Sequence, residues 1–139
     1  MSIFVLIGRI LFVAIFLGSG VRHVTASAAM AGYPASKGVP AARASVVASG
    51  VLMLAGGVMV LLGVWADLGA LLILAFLVPT ALLMHAFWKE SEPGPRLMEQ
   101  TQFMKNVSMA GGALALFGLF VIAGHHLGLT LTGPLIHGR

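Results

Sequence analysis

Apolar residues run through this chain in four blocks, each about as long as a membrane is thick. The blocks cover residues 3–21, 44–66, 68–88 and 103–124. A span needs ~20 apolar residues in helical form, and all four qualify. Nothing in them alternates with period two, so short barrel strands are not indicated. In lipid every backbone polar group must be paired within its own segment, which leaves helices. The predicted architecture is therefore an all-α, integral-membrane four-helix bundle running up-down-up-down, followed by an apolar tail over 125–139 broken by Gly133-Pro134.

The connections differ in length. Residues 22–43 form a long loop with a weakly helical small-residue run, Thr25 to Ala31, then Gly32-Tyr33-Pro34 and Lys37-Gly38-Val39-Pro40. It is long enough to fold back over the end of the bundle. Trp65-Ala66-Asp67 makes a tight connection, and 89–102 reads as a polar loop punctuated by Pro93-Gly94-Pro95. Pro79 lies inside the third block and removes the amide that would bond to the carbonyl of Ala75. Gly111, Ala115 and Gly118 form a small-residue ridge suited to helix packing. Ala26-Ser27-Ala28 looks like a cleavage site. No Lys or Arg precedes the first apolar block, however, and Arg9 interrupts it, so a retained span is expected rather than a signal peptide.

Composition agrees with lipid as the solvent. Of 139 residues, 59% are hydrophobic and 9% charged, against roughly 25% charged in soluble domains. The net charge of +4 is spread over the loops, which argues against nucleic acid as a partner and for a topology signal. The absence of cysteine excludes thiol redox centres, thiolate-held iron–sulfur clusters and zinc-thiolate sites. Four spans put both termini and the Trp65–Asp67 turn on one side, here the terminal side. On the opposite, loop side lie Arg22, Lys37, Arg43, Lys89, Arg96 and Lys105, against Arg9 and Arg139 on the terminal side. The positive-inside rule then places loops 22–43 and 89–102 in the cytoplasm and both termini outside.

The polar residues sort by depth in the same way. Arg9 and Asp67 lie near the terminal side and are expected to form an intramembrane ion pair, directly or through water. Arg22, His23, His85, Trp88, Lys105 and Asn106 gather at the loop side. His85 and Trp88 are three residues apart and would share a helix face, while Lys105 and Asn106 open the next span. Together they form a candidate ligand pocket with an aromatic wall, fit for a quinone headgroup or a lipid phosphate. The competing reading makes Trp88 and Lys105 interfacial anchors and His85 a structural histidine. Haem held by His23 and His85 is disfavoured, because His23 lies at the loop boundary. No metal site, paired intramembrane carboxylates or nucleophile motif is present.

Several short motifs resemble the DoxX family of small four-span membrane proteins. They are Gly8-Arg9-Ile10, Ser19-Gly20, Tyr33, Lys37-Gly38-Val39-Pro40, Gly56-Gly57 and Leu68-Gly69-Ala70. Met84-His85-x-Phe87-Trp88 and Phe103-x-Lys105-Asn106-x-x-x-x-Gly111-Gly112 complete the set. The likeness runs from Gly8 to Leu116 and leaves the tail uncovered. It implies a bacterial-type inner-membrane bundle. The family takes its name from a subunit linked to a thiosulfate:quinone oxidoreductase and terminal oxidase system. The resemblance thus implies a small subunit or accessory protein of a membrane redox complex, in contact with lipid, protein partners or further copies of itself, and with quinone as the cofactor to test. A chain of this kind is not expected to be catalytic on its own. The alternative is a stand-alone binder of a lipid or another amphipathic molecule.

Overall fold

The computed structural model describes residues 2–136. Six α-helices follow in order: α1 Ser2–Thr25, α2 Ser27–Met30, α3 Gly32–Ser36, α4 Ala42–Leu62, α5 Ala66–Met84 and α6 Pro93–Ala123. The four long ones are apolar enough to cross a membrane. Each packs on the next in sequence, α1 on α4, α4 on α5 and α5 on α6, as an up-down-up-down bundle requires. Their shared core holds Val13, Phe16, Met53, Val60, Ala70, Ile73, Leu77 and Ala113. The short α2 and α3 lie against the loop-side end of α4. Arg139 lies outside the described residues.

Helix boundaries depart from the hydropathy blocks where local chemistry overrides hydropathy. The second span stops at Leu62 rather than at residue 66, because Gly63 adopts a left-handed conformation (φ 67°) that caps the helix. The third stops at Met84 rather than at 88. His85 is its C-cap, and Phe87–Lys89 form a separate 3-10 turn. The last helix begins ten residues early. Pro93 occupies its first turn, where a missing amide costs nothing, and Arg96-Leu97-Met98-Glu99-Gln100 are good helix formers. The polar loop expected over 89–102 is therefore mostly helix. The 31 residues of α6 span about 46 Å at 1.5 Å per residue, against a hydrocarbon core of ~30 Å. The excess of about ten residues matches the polar first part of the helix, residues 93–102.

Helices α4 and α5 approach closely through glycine. A Cβ on Gly56 would meet the carbonyl oxygen of Gly69 at 2.7 Å, and one on Gly69 would meet that of Gly56 at 2.9 Å. By contrast α6 is the least buried span. Its buried residues, Asn106, Ala113 and Phe120, recur every seven positions and trace one narrow stripe. Gly111 and Gly118 have nothing within 4 Å of a built Cβ, so the expected packing ridge faces away from the bundle.

The terminal side is closed by the tail, not by an ion pair. Arg9 and Asp67 are both fully buried, yet among the described residues no salt bridge joins them. Arg9 donates from Nε to the Val60 carbonyl (2.7 Å), from Nη2 to Leu61 (2.6 Å) and from Nη1 to Leu129 (2.8 Å). Its guanidinium also lies 5.8 Å from the Phe120 ring centroid. Asp67 accepts the amides of Leu135 (3.1 Å) and Ile136 (2.8 Å). No direct pair forms because each charge finds backbone groups that would otherwise be orphaned. Arg9 caps the C-terminus of α4, and Asp67 sits in the first turn of α5, where the helix dipole favours an anion. The same bonds hold the tail against the α4–α5 turn instead of on the bilayer surface.

Candidate functional site

The loop-side end of the bundle holds a cleft of about 670 Å³. Its floor and walls come from α4 and α5, His23 enters from α1, and α2–α3 form its roof. Of its wall residues Ala48, Ala75, Pro79 and Leu83 are exposed, so the cleft opens on the flank of the bundle between α4 and α5. It reaches Ala75, nine residues before the end of α5, which is about 14 Å along the helix. The lining is mainly apolar. His23, Tyr33, Ser45, Ser49, Thr80 and His85 supply its polar side chains.

A five-residue lock joins the roof to the bundle. Glu99, on the polar first part of α6, accepts the Tyr33 hydroxyl at 2.6 Å and faces Lys37 Nζ at 3.2 Å. Its other oxygen bonds to Nδ1 of His85 at 2.8 Å. Lys37 also bonds to Glu90 at 2.8 Å. Partial burial raises the Tyr33 phenol above its ordinary range, with the Glu99 bond and charge adding to this, although about half of the residue is exposed. The bond to Glu90 raises Lys37, helped by Glu99 against the opposing effect of burial. Tyr33 therefore stays protonated and Lys37 stays charged across the physiological range.

The lock makes Glu99 the hub of the roof. Glu99→Ala should destabilise the protein by about 2 kcal/mol, since three donors lose one acceptor. Glu99→Gln, which keeps one acceptor oxygen, should cost about half as much. Hydrogen exchange at the amides of α2 and α3 checks this. Unchanged protection in Glu99→Ala would show that the roof is held by packing instead.

The cleft brings together two of the six residues grouped by depth. His23 and His85 line it, and Arg22, Trp88, Lys105 and Asn106 do not. Arg22 is exposed at the end of α1. Trp88 lies beyond the end of α5, so it shares no helix face with His85. It packs edge-on against Phe87 and Phe103, with centroids 5.2 and 5.7 Å away. Because α6 starts at Pro93, Lys105 and Asn106 sit three turns into the helix rather than at its mouth. Lys105 faces outward beside Leu97, Thr101 and Ser108, while Asn106 is buried. Among the described residues no cluster of three metal-ligating side chains occurs.

Sequence reasoning passed over Glu99 as one of several loop acids. A helix start at Pro93 would have placed it on a helix, one turn before Phe103. Tyr33 appeared only as a turn and motif residue and Lys37 only as a motif residue and a topology charge, and nothing local marked the serines and Thr80 as cleft-lining.

A family model, DoxX, matches residues 4–86. That range covers α1 to α5 and most of the cleft, and it ends before α6 with Glu99. No curated protein and no solved structure matches the chain.

Proposed function

From the premise that the chain belongs to the DoxX family of small membrane proteins, we propose that it is a non-catalytic accessory subunit of a redox assembly in a bacterial-type inner membrane. In this reading it holds an amphipathic molecule of the quinone class in the cleft beneath α2–α3. The observation that supports it is the cleft. Its volume of about 670 Å³ lies within the ~300–1,000 Å³ common for small-molecule sites. Its apolar walls suit a ring and the start of an isoprenoid tail, which would leave along the exposed flank between α4 and α5. Its polar groups lie toward the roof, where a headgroup would meet the membrane boundary. The positive-inside count supports a cytoplasmic roof.

The open flank equally favours a second reading, a membrane lipid held with no redox role. Purification in mild detergent, followed by extraction, mass spectrometry and a visible spectrum, separates the two. The first reading expects about one quinone per chain and a co-purifying partner that carries redox cofactors. A phospholipid with no partner supports the second. Ala48→Trp should obstruct the rim and lower occupancy about tenfold. Undiminished occupancy in that variant would place the ligand outside the cleft.

A further inference from the structure

We infer that the cleft is a hydrogen-bond-acceptor site that selects a headgroup bearing hydroxyl donors, and so binds a quinol in preference to the corresponding quinone. This rests on the ligand reading above, and it comes from counting hydrogens. Each of the four hydroxyls in the lining has its single hydrogen already committed. Tyr33 donates to Glu99 (2.6 Å), Ser45 to the Pro40 carbonyl (3.0 Å), Ser49 to the Val46 carbonyl (2.7 Å) and Thr80 to the Phe76 carbonyl (2.7 Å). Every one of these partners accepts only. The hydroxyls therefore have lone pairs, and no proton, to offer a ligand.

The same count sets the histidine tautomers. Nδ1 of His23 lies 2.8 Å from Ser49 Oγ. The Ser49 hydrogen is on the Val46 carbonyl, so Ser49 must accept and His23 Nδ1 must carry the proton. Nδ1 of His85 faces a Glu99 carboxylate oxygen at 2.8 Å, and it too must carry the proton. In a neutral imidazole this leaves Nε2 as an acceptor. Pro79 adds to the pattern. It lines the cleft with Ala75 and has no amide to give the Ala75 carbonyl, the bond an uninterrupted helix would make. Six polar side chains thus offer acceptors and no free donor. A quinone carbonyl finds no free side-chain donor here, whereas a quinol hydroxyl meets partners.

Calorimetric titration of the full chain in detergent micelles, without oxygen and at pH 8.5, tests this with three probes. They are a decyl-substituted benzoquinol, its quinone, and the dimethyl ether of the quinol, which keeps the ring and both oxygens and loses the donors. At about fivefold per neutral hydrogen bond, the quinol should bind about tenfold more tightly than either of the others. Ser49→Ala frees the His23 tautomer and should narrow the quinol-to-ether ratio severalfold. Equal binding of quinol and ether, or tighter binding of the quinone, would overturn the inference and leave the cleft as an apolar binding site. If an alkylammonium displaced the quinol at lower concentration, the acceptors would serve a cation instead, and the quinol assignment would fall. Binding of none of the three would remove the ligand reading together with the inference.

Discussion

Arg9→Met is expected to destabilise the protein by about 4 kcal/mol. Methionine suits lipid better than arginine does, so hydropathy alone predicts a gain. The opposite is expected because the C-terminus of α4 depends on this side chain. Helix ends leave their last four carbonyls without partners, and here each has been matched. The Met59 carbonyl takes the amides of Gly63 and Val64, Leu62 takes that of Leu131, and Arg9 serves Val60 and Leu61. Without the guanidinium, two buried carbonyls at the negative end of a helix lose both hydrogen bonds and a favourable charge. The tail also loses its anchor at Leu129.

Arg9→Lys keeps the charge but not the fork, and should lose about half as much. Unfolding by a denaturing detergent titrated into mild micelles measures both variants. A loss below about 1 kcal/mol for Arg9→Met would mean that water or the tail can cap α4 unaided. The exchange Arg9→Asp with Asp67→Arg should not rescue either single change, because the two side chains serve different backbone groups.

Gly56→Ala should cost about 2 kcal/mol, and Gly56→Leu should prevent the bundle from assembling. The added methyl would meet the Gly69 carbonyl at 2.7 Å and Ile73 Cγ1 at 2.9 Å. The first of these is backbone, so relief requires moving α5 away from α4. In lipid no hydrophobic drive pushes the helices back together, and close packing is itself the attraction. Separation would open the wall of the cleft, so ligand occupancy should fall along with stability. Gly8→Ala is the matched control. Gly8 has nothing within 4 Å of a built Cβ, and its replacement should be neutral or mildly stabilising. Equal losses at the two glycines would point to a general effect of helix composition.

Where the sequence was legible, the signal was local and additive. Four blocks of apolar residues identify four spans, because transfer into lipid is a sum over neighbours in the chain. Loop lengths and the placement of Lys and Arg then sort Arg9 and Asp67 to one end and His23 and His85 to the other. Errors began where a helix boundary shifted. Starting α6 at Pro93 rather than at Phe103 moved Lys105 and Asn106 away from the pocket and brought Glu99 to Tyr33, Lys37 and His85 at its roof. Ending α5 at Met84 separated Trp88 from His85.

From the sequence by itself come the membrane class, the number of spans, the up-down order and the depth of each polar residue. The tertiary structure decided which groups those residues meet. Arg9 finds carbonyls 51 to 120 residues away, Asp67 finds amides 68 and 69 residues away, and Tyr33 finds Glu99 across 66 residues. Such partners depend on the rotation of each helix about its axis and on how the roof and the tail fold back. Depth along the membrane normal does not encode either. Neighbours in the chain accordingly have separate roles, with Pro79, Thr80 and His85 lining the cleft, Glu99 locking the roof, and Trp88 with Phe103 forming an aromatic stack of their own.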